Sequence, residues 1–203
     1  MKYKIFFLTV LIALFLVSQA YALTGLGIGI RGGMIRNYNN ESIKTLLKES
    51  PDELKDLNML GGHLKIGTLP MIDLEVSAEY SWKKKDVKID IGGTPYNAVL
   101  KTEDYSLNAS AKYLFPVPVV KPYLGGGVGI HHLVYKLSLA EGVDLVVPDN
   151  TSRFGWHLLG GAVLKLAPLP FEIFAEGRYT SILTPDKSSS YVTYLAGITM
   201  NLP

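Results

Sequence analysis

The stretch "IDLEVSAEYSWKKK", residues 72–85, decides the fold. Ile72, Leu74, Val76, Ala78, Tyr80 and Trp82 alternate with Asp73, Glu75, Ser77, Glu79, Ser81 and Lys83. Successive strand side chains point to opposite faces, so this period of two predicts a strand with one apolar and one polar face.

The same alternation recurs along the chain. Leu26, Ile28 and Ile30 oppose Gly25, Gly27, Gly29 and Arg31; Leu60, Leu64 and Ile66 oppose His63 and Lys65. Tyr105, Leu107, Ala109, Ala111 and Tyr113 oppose Ser106, Asn108, Ser110 and Lys112. Further segments begin at Leu124, Phe154, Phe171 and Val192, which makes eight predicted strands. Short Pro-bearing links ("GTLPM", "LFPVPVVKP", "APLPF") alternate with longer polar ones. An even strand count with short turns on one side and long loops on the other is the plan of an outer-membrane barrel, and a β-sandwich gives no reason for it. The apolar face then meets lipid and the polar face lines the interior. Tyr80, Trp82, Tyr113, Tyr123, Phe154, Trp156, Phe171 and Tyr179, near strand ends, are expected in interfacial girdles.

The N-terminus agrees with export. Lys2 and Lys4 precede an apolar run from Ile5 to Val17 broken only by Thr9, and Ala20-Tyr21-Ala22 is an A-x-A cleavage site. The run is too short to cross a bilayer and suits a signal peptide. The expected organisation is therefore a signal peptide over 1–22 and one barrel domain over 23–203. This reading also disposes of a formal G-x-G-x-x-G match at Gly27, Gly29 and Gly32: a nucleotide fingerprint needs a strand in front of it, and the signal peptide occupies that place. Twenty basic and 18 acidic residues give a net charge of +2, which offers no bias toward nucleic acid. The absence of Cys means that an exported chain of this kind is held without disulfides.

"KPYLGGGVGI" (121–130), "FEIFAEGRYT" (171–180) and the final "YVTYLAGITMNL" give the chain its resemblance to the small eight-stranded outer-membrane barrels, the OmpA transmembrane domain and its OmpX-like relatives. Gly197, Met200 and Leu202 resemble the assembly signal of such barrels, with Leu195 at a position that is usually polar. The resemblance implies an all-β fold, an eight-stranded antiparallel up-and-down transmembrane β-barrel in the bacterial outer membrane. It also implies the barrel-assembly machinery and outer-membrane lipids, lipopolysaccharide included, as partners of a monomer.

Inside such a barrel unpaired charge is costly. Arg31, Lys65, Asp73, Glu75, Glu79, Lys112, Lys165, Glu172, Glu176 and Arg178 are therefore expected to form a lumen ion-pair network, with glycines of the first and fifth strands making room for it. Lys83, Lys84 and Lys85 are candidates for contact with lipopolysaccharide phosphates at the loop rim. His63, His131 and His157 point inward as polar filler; they lack the close spacing of a metal site, and no cofactor is expected. No G-x-S-x-G or H-E-x-x-H pattern occurs, so an enzyme is not expected. "ESIKTLLKESPDELKDLN", residues 41–58, is expected to form a short amphipathic helix over the barrel mouth. The function expected is structural, in envelope integrity, with loops open to recognition. A narrow or gated channel stands as the alternative, and a lipid-modifying enzyme is the weaker one.

Overall fold

A computed structural model describes residues 25–39, 56–69, 71–91, 94–139, 144–146, 151–165, 169–183 and 189–202. The strands are β1 (Leu26–Asn39), β2 (Leu57–Leu69), β3 (Ile72–Ile91), β4 (Thr94–Leu114), β5 (Val120–Leu139), β6 (Asp144–Val146), β7 (Thr151–Lys165), β8 (Phe171–Ile182) and β9 (Ser189–Asn201). Each pairs antiparallel with its neighbours in the order β4-β3-β2-β1-β9-β8-β7-β5, and a β4–β5 ladder closes the ring. Eight strands thus form the barrel. The three-residue β6 lies outside it, added to the far end of β5 through Lys136↔Val146 and Ser138↔Asp144. First and last strands meet at Gly27↔Asn201, and Leu202 donates its backbone N–H to the Leu26 carbonyl at 2.7 Å. Closure pairs the backbone without leaving an edge, which is the condition for a sheet to cross a membrane.

The alternation predicts which face is which. Ile30, Leu60, Leu124 and Leu158 point away from the barrel and are 58–68 % exposed, whereas Glu75, Ser77, Lys112 and Glu172 on the other parity are buried. From Ile72 to Trp82 the outer face of β3 stays apolar. Ten steps at roughly 3.3 Å, tilted by about 40°, give a belt about 25 Å tall, the height of a bilayer's hydrocarbon band. Tyr80, Trp82 and Tyr105 form its girdle toward the loops, with Tyr80 stacked on Trp82 at 5.2 Å. Tyr113 and Phe115 mark the turn end.

Three expectations need correction. Tyr123 is in no girdle: it shares the inward parity of Gly125 and is buried in the lumen. The third and fourth strands do not end at the girdle in a long loop but run on together, paired as far as Ile91↔Thr94, because residues 86–91 and 94–100 continue the ladder. And the inward glycines make room chiefly for side chains on adjacent strands. A Cβ on Gly29 would strike the imidazole of His63, its ladder partner; one on Gly129 would strike the Asn108 amide, and one on Gly127 would lie 2.6 Å from His157 Nε2. Directly paired residues are about 5 Å apart at Cβ, so a large side chain tilting sideways needs the space before one from across the barrel does.

The signal peptide lies outside the described residues, as do positions 41–55 of the expected helix; Leu57 and Asn58, its last residues, already belong to β2.

Candidate functional site

The lumen is filled in layers, as an eight-stranded barrel requires. Toward the loops, Ile35, Leu57, Leu133, Ile182 and Tyr191 point inward from the ends of five strands and form one buried apolar cluster. A second cluster, including Tyr123, Leu159, Phe174 and Leu195, lines the middle and the turn end. Polar groups occupy what the two clusters leave.

At the centre six charged side chains close a ring. Arg31 on β1 reaches Glu75 Oε1 at 2.6 Å and Glu79 Oε1 at 3.4 Å. Lys112 on β4 bridges Glu75 Oε2 at 2.9 Å and Glu176 Oε2 at 2.8 Å. Arg178 on β8 returns from Glu176 Oε1, at 3.6 Å, to Glu79 Oε1 at 2.7 Å. Cations and anions alternate around the ring, three of each, so every buried charge has two neighbours of opposite sign. That arrangement answers the several kcal/mol cost of moving each ion out of water. Phe174 sits against it, with Arg31 Cζ 5.4 Å and Lys112 Nζ 5.6 Å from its ring centroid. Tyr123 lends its ring to Lys112 at 5.1 Å and donates its hydroxyl to Glu176 Oε2 at 3.0 Å. Arg31 Nε also donates to His63 Nδ1 at 3.3 Å, and His63 Nε2 lies 2.8 Å from Thr199 Oγ1.

The remaining predicted members form a separate group at the turn end. Lys65 and Lys165 converge on Glu172 at 2.5 and 2.6 Å. Asp73 makes no ion pair within 4.0 Å among the described residues and is half-buried beside this group. The ten residues therefore divide into a ring of six, a trio, and one carboxylate outside both.

Sequence reasoning did not find Tyr123 and Phe174 as supports of the ring. The signal was present, since both carry inward parity. The inward parity expected of His131 and His157 holds, but their partners were not foreseen: His131 Nδ1 lies 3.1 Å from Asp104 Oδ2, and the Ser110 hydroxyl meets His157 Nε2 at 2.8 Å. His132 faces outward and lies 3.1 Å from Ser152 Oγ. Among the described residues no three His, Asp or Glu side chains converge as a metal site would need. Of the rim lysines, Lys84 is exposed on the outer face, Lys83 is half-buried on the opposite strand face, and the side chain of Lys85 lies outside the described residues.

A closed antiparallel barrel with an apolar outer belt and a charge-paired, filled interior has the architecture of the small outer-membrane β-barrels. Solved structures bear out the fold. Neisserial surface protein A matches with a TM-score of 0.54 and 17 % identity, over 88 % of this chain and 97 % of that one. A major outer membrane protein from Thermus thermophilus gives 0.53 at 11 % identity, covering 87 % and 99 %. The attachment invasion locus protein Ail of Yersinia pestis, solved with the heparin analogue sucrose octasulfate, gives 0.52 at 14 % identity, covering 88 % and 97 %. No protein-family model and no curated protein matches the sequence.

Proposed function

We propose that the chain is a non-conducting structural barrel of the bacterial outer membrane, serving envelope integrity and displaying its loop-side strands for recognition. One observation carries this reading: the six-membered charge ring fills the lumen's middle, and the buried apolar cluster of Ile35, Leu57, Leu133, Ile182 and Tyr191 packs inside its loop end. Solute crossing would have to displace both. A catalytic role would need a nucleophile near an oriented histidine and a path for substrate. The best-oriented histidine, His131 on Asp104, is 1 % exposed, and this supports a non-enzymatic reading. Its partners in that role are outer-membrane lipids and, during biogenesis, the barrel-assembly machinery.

A gated channel is the second reading, because Glu79 Oε1 is shared by Arg31 and Arg178 and a carboxylate between two guanidiniums can exchange partners. Purified protein in planar bilayers separates the two. The structural reading predicts no defined conductance steps from the wild type. Reproducible steps that change on Glu79→Gln would overturn it in favour of the channel.

A further inference from the structure

Beyond the aromatic girdle, ladder pairing places three lysines in one row on the outer face. Lys84 on β3 is opposite Lys101 on β4, and Lys101 is opposite Lys136 on β5. Like charges directly opposite one another destabilise a sheet, and here two such pairs are adjacent. Among the described residues, the carboxylate ion-paired to this row is Glu103, one row nearer the girdle. Its Oε1 lies 2.7 Å from Lys101 and its Oε2 3.6 Å from Lys136, while Tyr80 donates its hydroxyl to Oε1 at 2.5 Å. Glu103 is buried, but the Lys101 and Lys136 side chains remain 31 % and 55 % exposed. One carboxylate thus holds two ammonium groups close together and leaves N–H donors of both, with the exposed Lys84, facing outward. The row keeps an excess of two positive charges at headgroup level, and Asp86 stands one outward-facing step farther from the girdle.

Below this row the outer surface is hollowed. Gly62 and Ala78 leave a groove of about 780 Å³ between Leu60, Tyr80, Tyr105 and Leu107. From Lys84 to Ala78 is six residues, or roughly 20 Å along the strand. A molecule that met both features would carry phosphate at one end and an acyl chain at the other.

We propose that the outer face of β3–β5 is a binding site for lipid A in the outer leaflet, its phosphate on Lys84, Lys101 and Lys136 and an acyl chain in the Gly62–Ala78 groove. The proposal rests on the barrel's standing in the outer membrane. Phosphate suits the row because its oxygens accept several charge-assisted hydrogen bonds at once, and each ammonium offers three donors.

The test uses the full-length barrel in phosphatidylcholine nanodiscs doped with bis-phosphorylated lipid A, with its dephosphorylated form, or with phosphatidylglycerol. Bound lipid is read by native mass spectrometry. Heat-modifiable migration on detergent gels first establishes that each protein is a folded barrel, so failure of the barrel reading is seen separately. The wild type is expected to retain bis-phosphorylated lipid A about tenfold or more over the other two. The combined Lys84→Gln, Lys101→Gln, Lys136→Gln variant should lose that preference. Lys136→Gln alone, at the more exposed of the two lysines on Glu103, should lower it with folding intact, and Arg36→Gln on β1 should leave it unchanged. Equal retention of the dephosphorylated lipid, equal retention of phosphatidylglycerol, or an unaltered preference in the folded lysine variants would overturn the proposal.

Discussion

Arg178 on β8 places Nη2 2.7 Å from Glu79 Oε1 on β3, joining strands that stand opposite each other in the eight-strand ring. This contact crosses the lumen, whereas the hydrogen-bonded ladders run around it. It makes the charge ring a brace as well as a filling, and its consequences can be measured.

Removing one member of the ring leaves a buried partner uncompensated. Glu79→Gln is expected to destabilise the folded barrel by about 3–5 kcal/mol in urea titrations from lipid vesicles. Adding Arg178→Met removes the opposing charge and leaves Arg31, Glu75, Lys112 and Glu176 as a neutral chain. The double variant should therefore lose less than the sum of its single variants, with a coupling of about 1–3 kcal/mol. Strict additivity would contradict the ring.

Tyr123 is the hydroxyl donor to the Glu176 carboxylate in a buried setting. Tyr123→Phe keeps the ring over Lys112 and deletes only that hydrogen bond. A loss of roughly 1.5–3 kcal/mol is expected, as for hydrogen bonds to charged groups, by the same urea titration.

The inner and outer faces of the sheet should answer differently to the same small change. A methyl on Gly29 meets the His63 imidazole and the Ile198 carbonyl, whereas a methyl on Gly62 meets only the Gly29 carbonyl oxygen, at an ordinary 3.7 Å. Gly29→Ala should cost about 1–3 kcal/mol and Gly62→Ala should stay within about 0.5 kcal/mol of wild type. Equal effects would mean that the inward face is not the crowded one.

The apolar cluster at the loop end can be thinned without touching a charge. Ile182→Ala, at a fully buried position, should lower stability by about 2–5 kcal/mol through lost burial and the cavity left behind.

Much of this was legible in residues 72–82 and 105–113, where alternation is strict and parity assigns each side chain to lipid or lumen. The strand order that sets Glu79 against Arg178 also follows from an up-and-down path. The partners within the ring do not: whether Lys112 meets Glu75, Glu176 or both depends on stagger between strands and side-chain reach, which no local pattern carries. Tyr123 was misplaced because its nearness to a strand end outweighed its parity with Gly125. The Lys84–Lys101–Lys136 row was hidden for another reason. Residues 83–104 have the polarity of a loop, and only the continued β3–β4 ladder brings Lys84 and Lys101 opposite each other. The glycines showed where the lumen lacks side chains, but not that adjacent His63, His157 and Asn108 take the space.

The central claim is that these strands form a closed, membrane-spanning barrel braced through its lumen. Its most direct test is folding of the chain from urea into lipid vesicles, followed by migration on detergent gels with and without heating. The account predicts that the protein enters the vesicles and migrates as a compact, heat-modifiable species. A chain that folded to a soluble protein without lipid or detergent, and stayed out of the vesicles, would contradict it.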